Sequence, residues 1–333
     1  MKKILVIGSL NMDMVAEVDH TPVAGETILT NKMELVPGGK GANQAYAAGK
    51  LGAQVCMLGA VGADSYGKTE RENLAEAGVD VSSVLVREEA STGAAFITVN
   101  REGDNCIVVV AGANATLSPA DIEENEALIK QNDIIILQLE IPLDTVVWAA
   151  KTAKKYGKLV ILDPAPVPRE FPEELYRYVD IMKPNETELK MLTGFGGSEA
   201  ELKKAAQFLK DQGVGNVVVT LGGNGVYVEE KSGENHRIPA LKVETVDTTA
   251  AGDTFTAALA LKIAQGAELR EAAEYANYVS ALVVTRKGAQ SSIPSAREVD
   301  VFLDYQVINV KRKLRGMYPE KCKNPSKKSL QIR

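Results

Sequence analysis

A run of small residues followed by a carboxylate stands at Asp247-Thr248-Thr249-Ala250-Ala251-Gly252-Asp253-Thr254, directly before an apolar helical stretch, Phe255–Ala264. Small side chains leave the N–H groups of Ala250 to Asp253 free to face an anion, and the positive end of a helix stabilises charge that builds on a transferred phosphoryl group. Asp253 then stands where it can take a proton from an attacking hydroxyl, a role commonly worth ~10²- to 10⁴-fold in rate. An ordinary Asp/Thr helix cap is the competing reading. A second segment, Gly38-Gly39-Lys40-Gly41-Ala42-Asn43-Gln44, sits between an extended stretch and a helical run, Ala45–Leu51. Its bare amides and polar side chains converge at a helix N-terminus, which suits a polar ligand; a glycine turn with Asn43 as cap is the alternative.

A third segment, Gly62-Ala63-Asp64-Ser65-Tyr66-Gly67-Lys68-Thr69, matches the spacing of a phosphate-binding P-loop, and Leu159–Asp163 could serve as its Walker B strand. Asp64 and bulky Tyr66 argue against it, because a carboxylate in the cradle repels the anion and no central glycine opens the nest. The expectation is an ordinary strand-to-helix turn. Three further polar sites are Glu140 after a strand, Asn185-Glu186-Thr187-Glu188 after Lys183-Pro184, and Thr220-Leu221-Gly222-Gly223-Asn224-Gly225. All lie at the carboxyl ends of expected strands, the edge of an open α/β sheet where ligands bind.

The elements that must hold these residues alternate along the chain as β-rich apolar runs and helical patterns, the pattern of a doubly wound, mostly parallel sheet flanked by helices. Ile4–Ile7, Val55–Ala60, Ile134–Leu137, Leu159–Leu162 and Val217–Thr220 are near-continuous apolar runs, as expected of strands covered on both faces. Helices are expected over Ala120–Gln131 after the Ser118-Pro119 cap, over Leu143–Tyr156, and from Ser198 to Gln212 with a stop at Gly213. Two regions break the rhythm, Met12–Val36 and Gly93–Val110, the second with a turn at Arg101–Asn105. They read as hairpins that could pair into a small separate sheet, a lid over a site on the main domain, or else as edge strands.

Composition narrows the chemistry. The 333 residues carry 38 Lys+Arg, 44 Asp+Glu and only 2 His, so a His-based metal site or a Ser-His-Asp mechanism is a poor expectation and a carboxylate base a better one. Cys56, Cys106 and Cys322 are far apart and odd in number, which suggests neither a disulfide framework nor a zinc knuckle and fits a cytoplasmic protein. No apolar run approaches the ~20 residues of a membrane span, and Asn11 and Asp13 interrupt the only stretch that resembles a signal peptide. The tail 311–333 holds nine Lys/Arg and one acid, Glu320, leaving residues 1–310 strongly acidic and unsuited to nucleic acid. On composition the tail is expected to be a solvated, disordered extension to a single domain spanning 1–310.

Taken together, Asn11-x-Asp13, Gly38-Gly39-Lys40-Gly41-Ala42-Asn43-Gln44-Ala45, Pro184-Asn185-Glu186-x-Glu188, Thr220-Leu221-Gly222 and Asp247-Thr-x-Ala-Ala-Gly-Asp253-Thr254 closely resemble the ribokinase-like carbohydrate kinase superfamily, over about residues 3 to 308. The KGANQA stretch, Gln138-Leu139-Glu140-x-Pro142 and Thr285-Arg286-Lys287-Gly288-Ala289-Gln290 point to its ribokinase branch. The resemblance implies a small β-sheet lid that also forms a homodimer contact. It further implies D-ribose under that lid, held by Asn11, Asp13, Gly39, Lys40, Asn43 and Glu140. Asp253 would be the base that deprotonates the 5-hydroxyl for attack on the γ-phosphate of ATP, and Ala250, Ala251 and Gly252 would line the anion hole. Around the nucleotide would fall Asn185, Thr220, Leu221, Gly222, Gly223, Gly225, Gly252 and Asn277, with Glu188 helping indirectly to organise magnesium. Asp247, Thr249, Val283, Arg286, Gly288 and Ser292 match a potassium site of such kinases.

Relatives acting on deoxyribose, fructose or nucleosides share the glycine-rich and Ala-Ala-Gly-Asp segments, so the sugar stays open at this stage. A non-catalytic sugar or nucleotide sensor on the same scaffold is the alternative of another class. The presence of both Gly252 and Asp253 speaks against it.

Overall fold

The computed structural model describes residues 1–305, so the basic tail 311–333 lies outside the described residues. In chain order the strands are β1 Ile4–Ile7, β2 Asn11–Glu17, β3 Met33–Gly38, β4 Val55–Gly62, β5 Val84–Arg87, β6 Gly93–Val99 and β7 Asn105–Val110. They continue as β8 Ile134–Leu137, β9 Leu159–Leu162, β10 Ile181–Met182, β11 Asn216–Thr220, β12 Val226–Glu229 and β13 Asn235–Ile238. The helices are α1 Lys40–Lys50, α2 Ser65–Glu76, α3 Pro119–Glu124, α4 Glu126–Gln131, α5 Leu143–Lys155, α6 Glu186–Thr193, α7 Glu199–Gln212, α8 Ala251–Ala264 and α9 Leu269–Val283.

Nine strands form one sheet in the order β13-β12-β11-β10-β9-β8-β1-β4-β5, parallel from β11 to β5 and closed at the other edge by the antiparallel β11-β12-β13 meander. The period of two residues divides β1 between two cores. Ile4 and Val6 pack with α1, α8 and α9, whereas Leu5 and Ile7 pack with α5 and α7. Both faces are therefore dry, which is why the central strands carry no polar residue. The two hairpins expected from the sequence pair with each other through parallel β2 and β6, giving a separate four-stranded sheet in the order β3-β2-β6-β7.

Three sequence expectations change. The helix expected over Ala120–Gln131 is two helices, because Asn125 leaves helical geometry (φ −100, ψ 17) and turns its carboxamide back onto the carbonyl of Asp121 at 2.8 Å. Helix α1 starts at Lys40 rather than Ala45, with Gly39 (φ 84) before it, so Asn43 lies inside the first turn and caps nothing. Helix α8 likewise starts at Ala251, ahead of Phe255.

The P-loop look-alike resolves as a plain turn into α2. Asp64 accepts from the N–H of Gly67 at 2.8 Å and from the hydroxyl and N–H of Thr92 at 2.6 and 2.8 Å. Its carboxylate fills the position that a bound phosphate needs, and Lys68 faces Glu72 on the surface.

Candidate active site

The parallel strands end at one edge of the large sheet; Thr220 ends β11 there, and the loops leaving that edge carry Ser9, Glu140, Asp163, Lys183 and Asn185. Helices α1 and α8 pack against each other, so the Gly39–Asn43 and Ala250–Asp253 turns meet above that edge. Sequence distance hides this meeting, since the two turns are more than 200 residues apart.

Asp253 lies in the first turn of α8 and is buried. Its Oδ2 accepts from Nδ2 of Asn43 at 3.0 Å and its Oδ1 from Nε2 of Gln44 at 3.1 Å. The turn before it is tight. Ala250 takes the left-handed conformation (φ 58), the one non-glycine residue to do so among the described residues, at a cost of about 1 kcal/mol or more. The N–H of Ala251 donates to the carbonyl of Thr248 at 3.2 Å, whereas those of Ala250, Gly252 and Asp253 have no backbone acceptor.

On one side of Asp253 lie the residues of β2 and the β8 end. The Glu140 Oε2 accepts from the hydroxyl of Ser9 at 2.6 Å and from the N–H of Lys40 at 3.0 Å, a carboxylate seated on the positive end of α1. Asn11 is buried, its Oδ1 accepting from Asn114 at 2.8 Å. Asp13 projects toward the same space; burial raises its pKa to about 7, with repulsion from Glu140 and Asp253 adding to the effect. A Cβ on Gly38 would stand 2.3 Å from the Asp13 carboxylate, and one on Gly39 would stand 2.9 Å from the Asn11 nitrogen, so both positions need glycine. Lys40 threads between the acids: burial pulls its pKa down, but Asp253, Asp163, Glu140 and Glu188 outweigh that and push it up, keeping the ammonium charged.

On the other side a cleft of about 880 Å³ opens, lined by Lys40, Lys183, Asn185, Glu188, Thr220, Gly222, Gly223, Gly225, Asn277 and the Ala250–Asp253 turn. Its size suits a nucleotide. Leu221 does not line it: that side chain is buried in the core, turned inward between Thr220 and Gly222. Asn185 and Glu188 lock into a reciprocal capping box at the start of α6, with both Glu188 oxygens on the Asn185 N–H and carboxamide at 2.8 and 2.9 Å. Asp253 and Lys40 are thus shared by the cleft and the polar cluster under the small sheet.

A model of the pfkB family of carbohydrate kinases matches residues 1–296. The chain belongs to this family. It is 41% identical over 305 residues to a ribokinase of Haemophilus influenzae, covering 91% of this chain and 99% of that one. It is 38% identical over 301 residues to a deoxyribokinase of Salmonella typhi, covering 90% and 98%. Among solved structures, the Arabidopsis thaliana ribokinase complexed with ribose and ATP superposes with a TM-score of 0.86 at 34% identity, covering 91% of this chain and 98% of that one. Among the described residues no helix is long and apolar enough to cross a membrane.

For a carbohydrate kinase the site contains more than the motifs revealed. Asp163 at the end of β9 forms a buried ion pair with Lys183 at 2.9 Å; burial pushes its pKa above the usual carboxylate range while Lys183 and Lys40 pull it back. Gln44 bridges Asp163 and Asp253 from the start of the second turn of α1. Ser9 orients Glu140. Ser9 was not singled out from sequence, while Asp163 stood there only as the end of a possible Walker B strand, Gln44 only within the glycine-rich segment and Lys183 only before Pro184. The carboxyl-edge position of Asp163 and Lys183 was the available signal, since each directly follows a strand of the parallel sheet.

Of the residues matched to a potassium site, Asp247, Thr249 and Gly288 are joined by hydrogen bonds. Asp247 accepts from the N–H and hydroxyl of Thr249 at 2.9 and 2.7 Å and from the N–H of Gly288 at 2.9 Å; burial raises its pKa, but these hydrogen bonds outweigh that and hold it low. Val283 ends α9, its carbonyl accepting from the N–H of Arg286 at 3.0 Å, and buried Ser292 donates to the Ala289 carbonyl.

Proposed function

We propose that this carbohydrate kinase transfers the γ-phosphoryl group of ATP to the 5-hydroxyl of D-ribose. The observation that carries the reading is the place of Asp253, held by two carboxamides where the nucleotide-sized cleft meets the polar cluster of Asn11, Asp13, Gly39, Asn43 and Glu140. Asp253 removes the hydroxyl proton as the sugar oxygen bonds to the γ-phosphorus and the bond to the β-phosphate oxygen breaks, releasing ADP and ribose 5-phosphate. The N–H groups of Gly252 and Asp253 receive the charge that builds on the phosphoryl oxygens, and Lys40 spans donor and acceptor. A cluster of acceptors and amides that pairs each sugar hydroxyl rejects analogues by leaving its own buried groups unpaired. The small sheet acts as the lid that keeps water out.

Magnesium, which neutralises and orients the nucleotide phosphates in such transfers, fits the acidic rim at Glu188; with both its oxygens engaged by Asn185, Glu188 acts through water. The oxygen donors of Asp247, Thr249, Val283, Arg286, Gly288 and Ser292 suit a hard monovalent cation such as potassium.

A homodimer through the lid is supported by the register of the small sheet. Leu35, Met14, Phe96 and Val108 stand opposite one another across four strands, on the face away from Asp13, and Leu35, Phe96 and Val108 are 48%, 49% and 65% exposed. Sedimentation of wild type against Phe96→Glu tests this, a dimer becoming a monomer.

The test of the activity is ADP release with MgATP and D-ribose, 2-deoxyribose, fructose, adenosine or no sugar, with and without potassium. Ribose-dependent turnover with little hydrolysis in its absence is expected. Preference for 2-deoxyribose, favoured by the deoxyribokinase relative, is the second reading, and turnover with neither pentose overturns both.

A further inference from the structure

The two carboxamides that hold Asp253 are each the last member of a chain of carboxamides. Asn43 donates to Asp253 at 3.0 Å; its own Oδ1 accepts from Nε2 of Gln290 at 3.1 Å, and Oε1 of Gln290 accepts from Nδ2 of Asn73. Gln44 donates to Asp253 at 3.1 Å and to Asp163 at 2.9 Å, and its Oε1 accepts from Nε2 of Gln138 at 2.7 Å. Asn43, Gln44, Gln138 and Gln290 are all buried, so water does not take the place of a missing link.

The polarity of these chains follows from the charge at their meeting point. An ionised carboxylate only accepts, so Asn43 must present its NH₂ to Asp253 and its carbonyl outward. Gln290 must then present its NH₂ to Asn43, and Asn73 its NH₂ to Gln290. Conversely, whatever fixes Asn73 and Gln290 fixes which end of Asn43 faces the carboxylate. The links come from α2, the 3-10 turn Gln290–Ser292, α1 and α8, elements far apart in sequence.

We propose that Gln290 and Asn73 are positioning residues for phosphoryl transfer. They hold the Asn43 carboxamide with its NH₂ on Asp253, so that the carboxylate is aimed and kept as an acceptor. The proposal rests on the reading of Asp253 as the base, although neither residue is among those that line the cleft. A turned Asn43 would set its carbonyl against the carboxylate and replace a charge-assisted hydrogen bond by repulsion.

The discriminating comparison is Asn73→Asp against Asn73→Ala. The first keeps the shape but makes the outermost link an acceptor, which draws the NH₂ of Gln290 away from Asn43; the second only removes that link. The expected result is a kcat for Asn73→Asp roughly 10-fold below that of Asn73→Ala, with KM for ATP within about twofold in both, the factor implied by one charge-assisted hydrogen bond. A packing role predicts the reverse order, because the isosteric variant fills the same space. Equal kcat values, or a lower one for Asn73→Ala, overturn the proposal. Gln290→Glu against Gln290→Met repeats the test one link closer, with the Glu variant expected to be the slower, and it decides the question if Asn73→Asp does not fold. Asp253→Asn, assayed alongside, separates the two levels: full activity there removes the base assignment, whereas its inactivity with no ordering among the other variants removes only the relay.

Discussion

The ammonium of Lys183 lies 2.9 Å from the carboxylate of Asp163, both almost fully buried, and 3.4 Å from the carbonyl of Gly252. The pair joins the ends of two neighbouring parallel strands to the first turn of α8, directly beneath the anion-facing turn. Two charges out of water gain stability only when each has its partner. Removing either alone, by Asp163→Asn or Lys183→Met, is therefore expected to cost about 3–5 kcal/mol in denaturant unfolding. The double variant should cost less than either single one, and a strictly additive double variant speaks against a coupled pair.

Asp253→Asn keeps the shape of the side chain but takes away the proton acceptor. Folding and sugar binding are expected to persist while kcat falls at least ~10²-fold. The check is steady-state kinetics beside sugar titration calorimetry on the same preparation.

Asp13 has a pKa of about 7 against 3.8 for a free side chain, through burial first and then Glu140 and Asp253. The folded chain binds this proton more tightly than the unfolded one, so the contribution of Asp13 to stability is complete below its unfolded pKa and is lost as pH rises toward about 7. Asp13→Asn is expected to melt a few degrees above wild type near about pH 8 and level with it below about pH 4, while weakening the sugar complex. Equal melting temperatures at both ends of the range refute the buried-carboxylate account.

Lys68 forms a surface pair with Glu72 and sits in a turn whose centre is filled by Asp64. Lys68→Ala should leave kcat and KM for ATP within about twofold, since exposed pairs contribute little. Loss of nucleotide binding would restore the P-loop reading.

Asp247 ties the turn before α8 to the loop after α9 through Thr249 and Gly288. Replacing potassium by tetramethylammonium, an ion without a fit for a small oxygen cage, is expected to lower turnover, and Asp247→Ala to abolish the difference between the two salts. A variant as salt-responsive as wild type removes Asp247 from the cation site.

Much of this molecule was legible in the sequence because the signals are local. Continuous apolar runs marked β1, β8 and β9 to the residue, since a strand dry on both faces admits nothing else. Ser198 and Gly213 marked both ends of α7, because helix termini need those side chains whatever surrounds them. The turn at Asn125 was invisible, because a side chain that competes with the helix ladder does so only where its neighbours let it.

The same division holds at the site. By itself the sequence determined the chemical inventory: a carboxylate after small residues at a helix start, a glycine-rich turn before another helix, and acids at strand ends. Only the tertiary structure decided how those parts answer one another. Packing α1 on α8 brought Asn43 and Gln44 onto Asp253, and the order β10-β9 paired Lys183 with Asp163. Leu221 turned inward although its neighbours line the cleft. Hydrogen bonds between residues more than 200 positions apart, and an ion pair between the ends of two strands, leave no periodicity in the chain; they exist only once burial has removed the water that would otherwise satisfy each group separately.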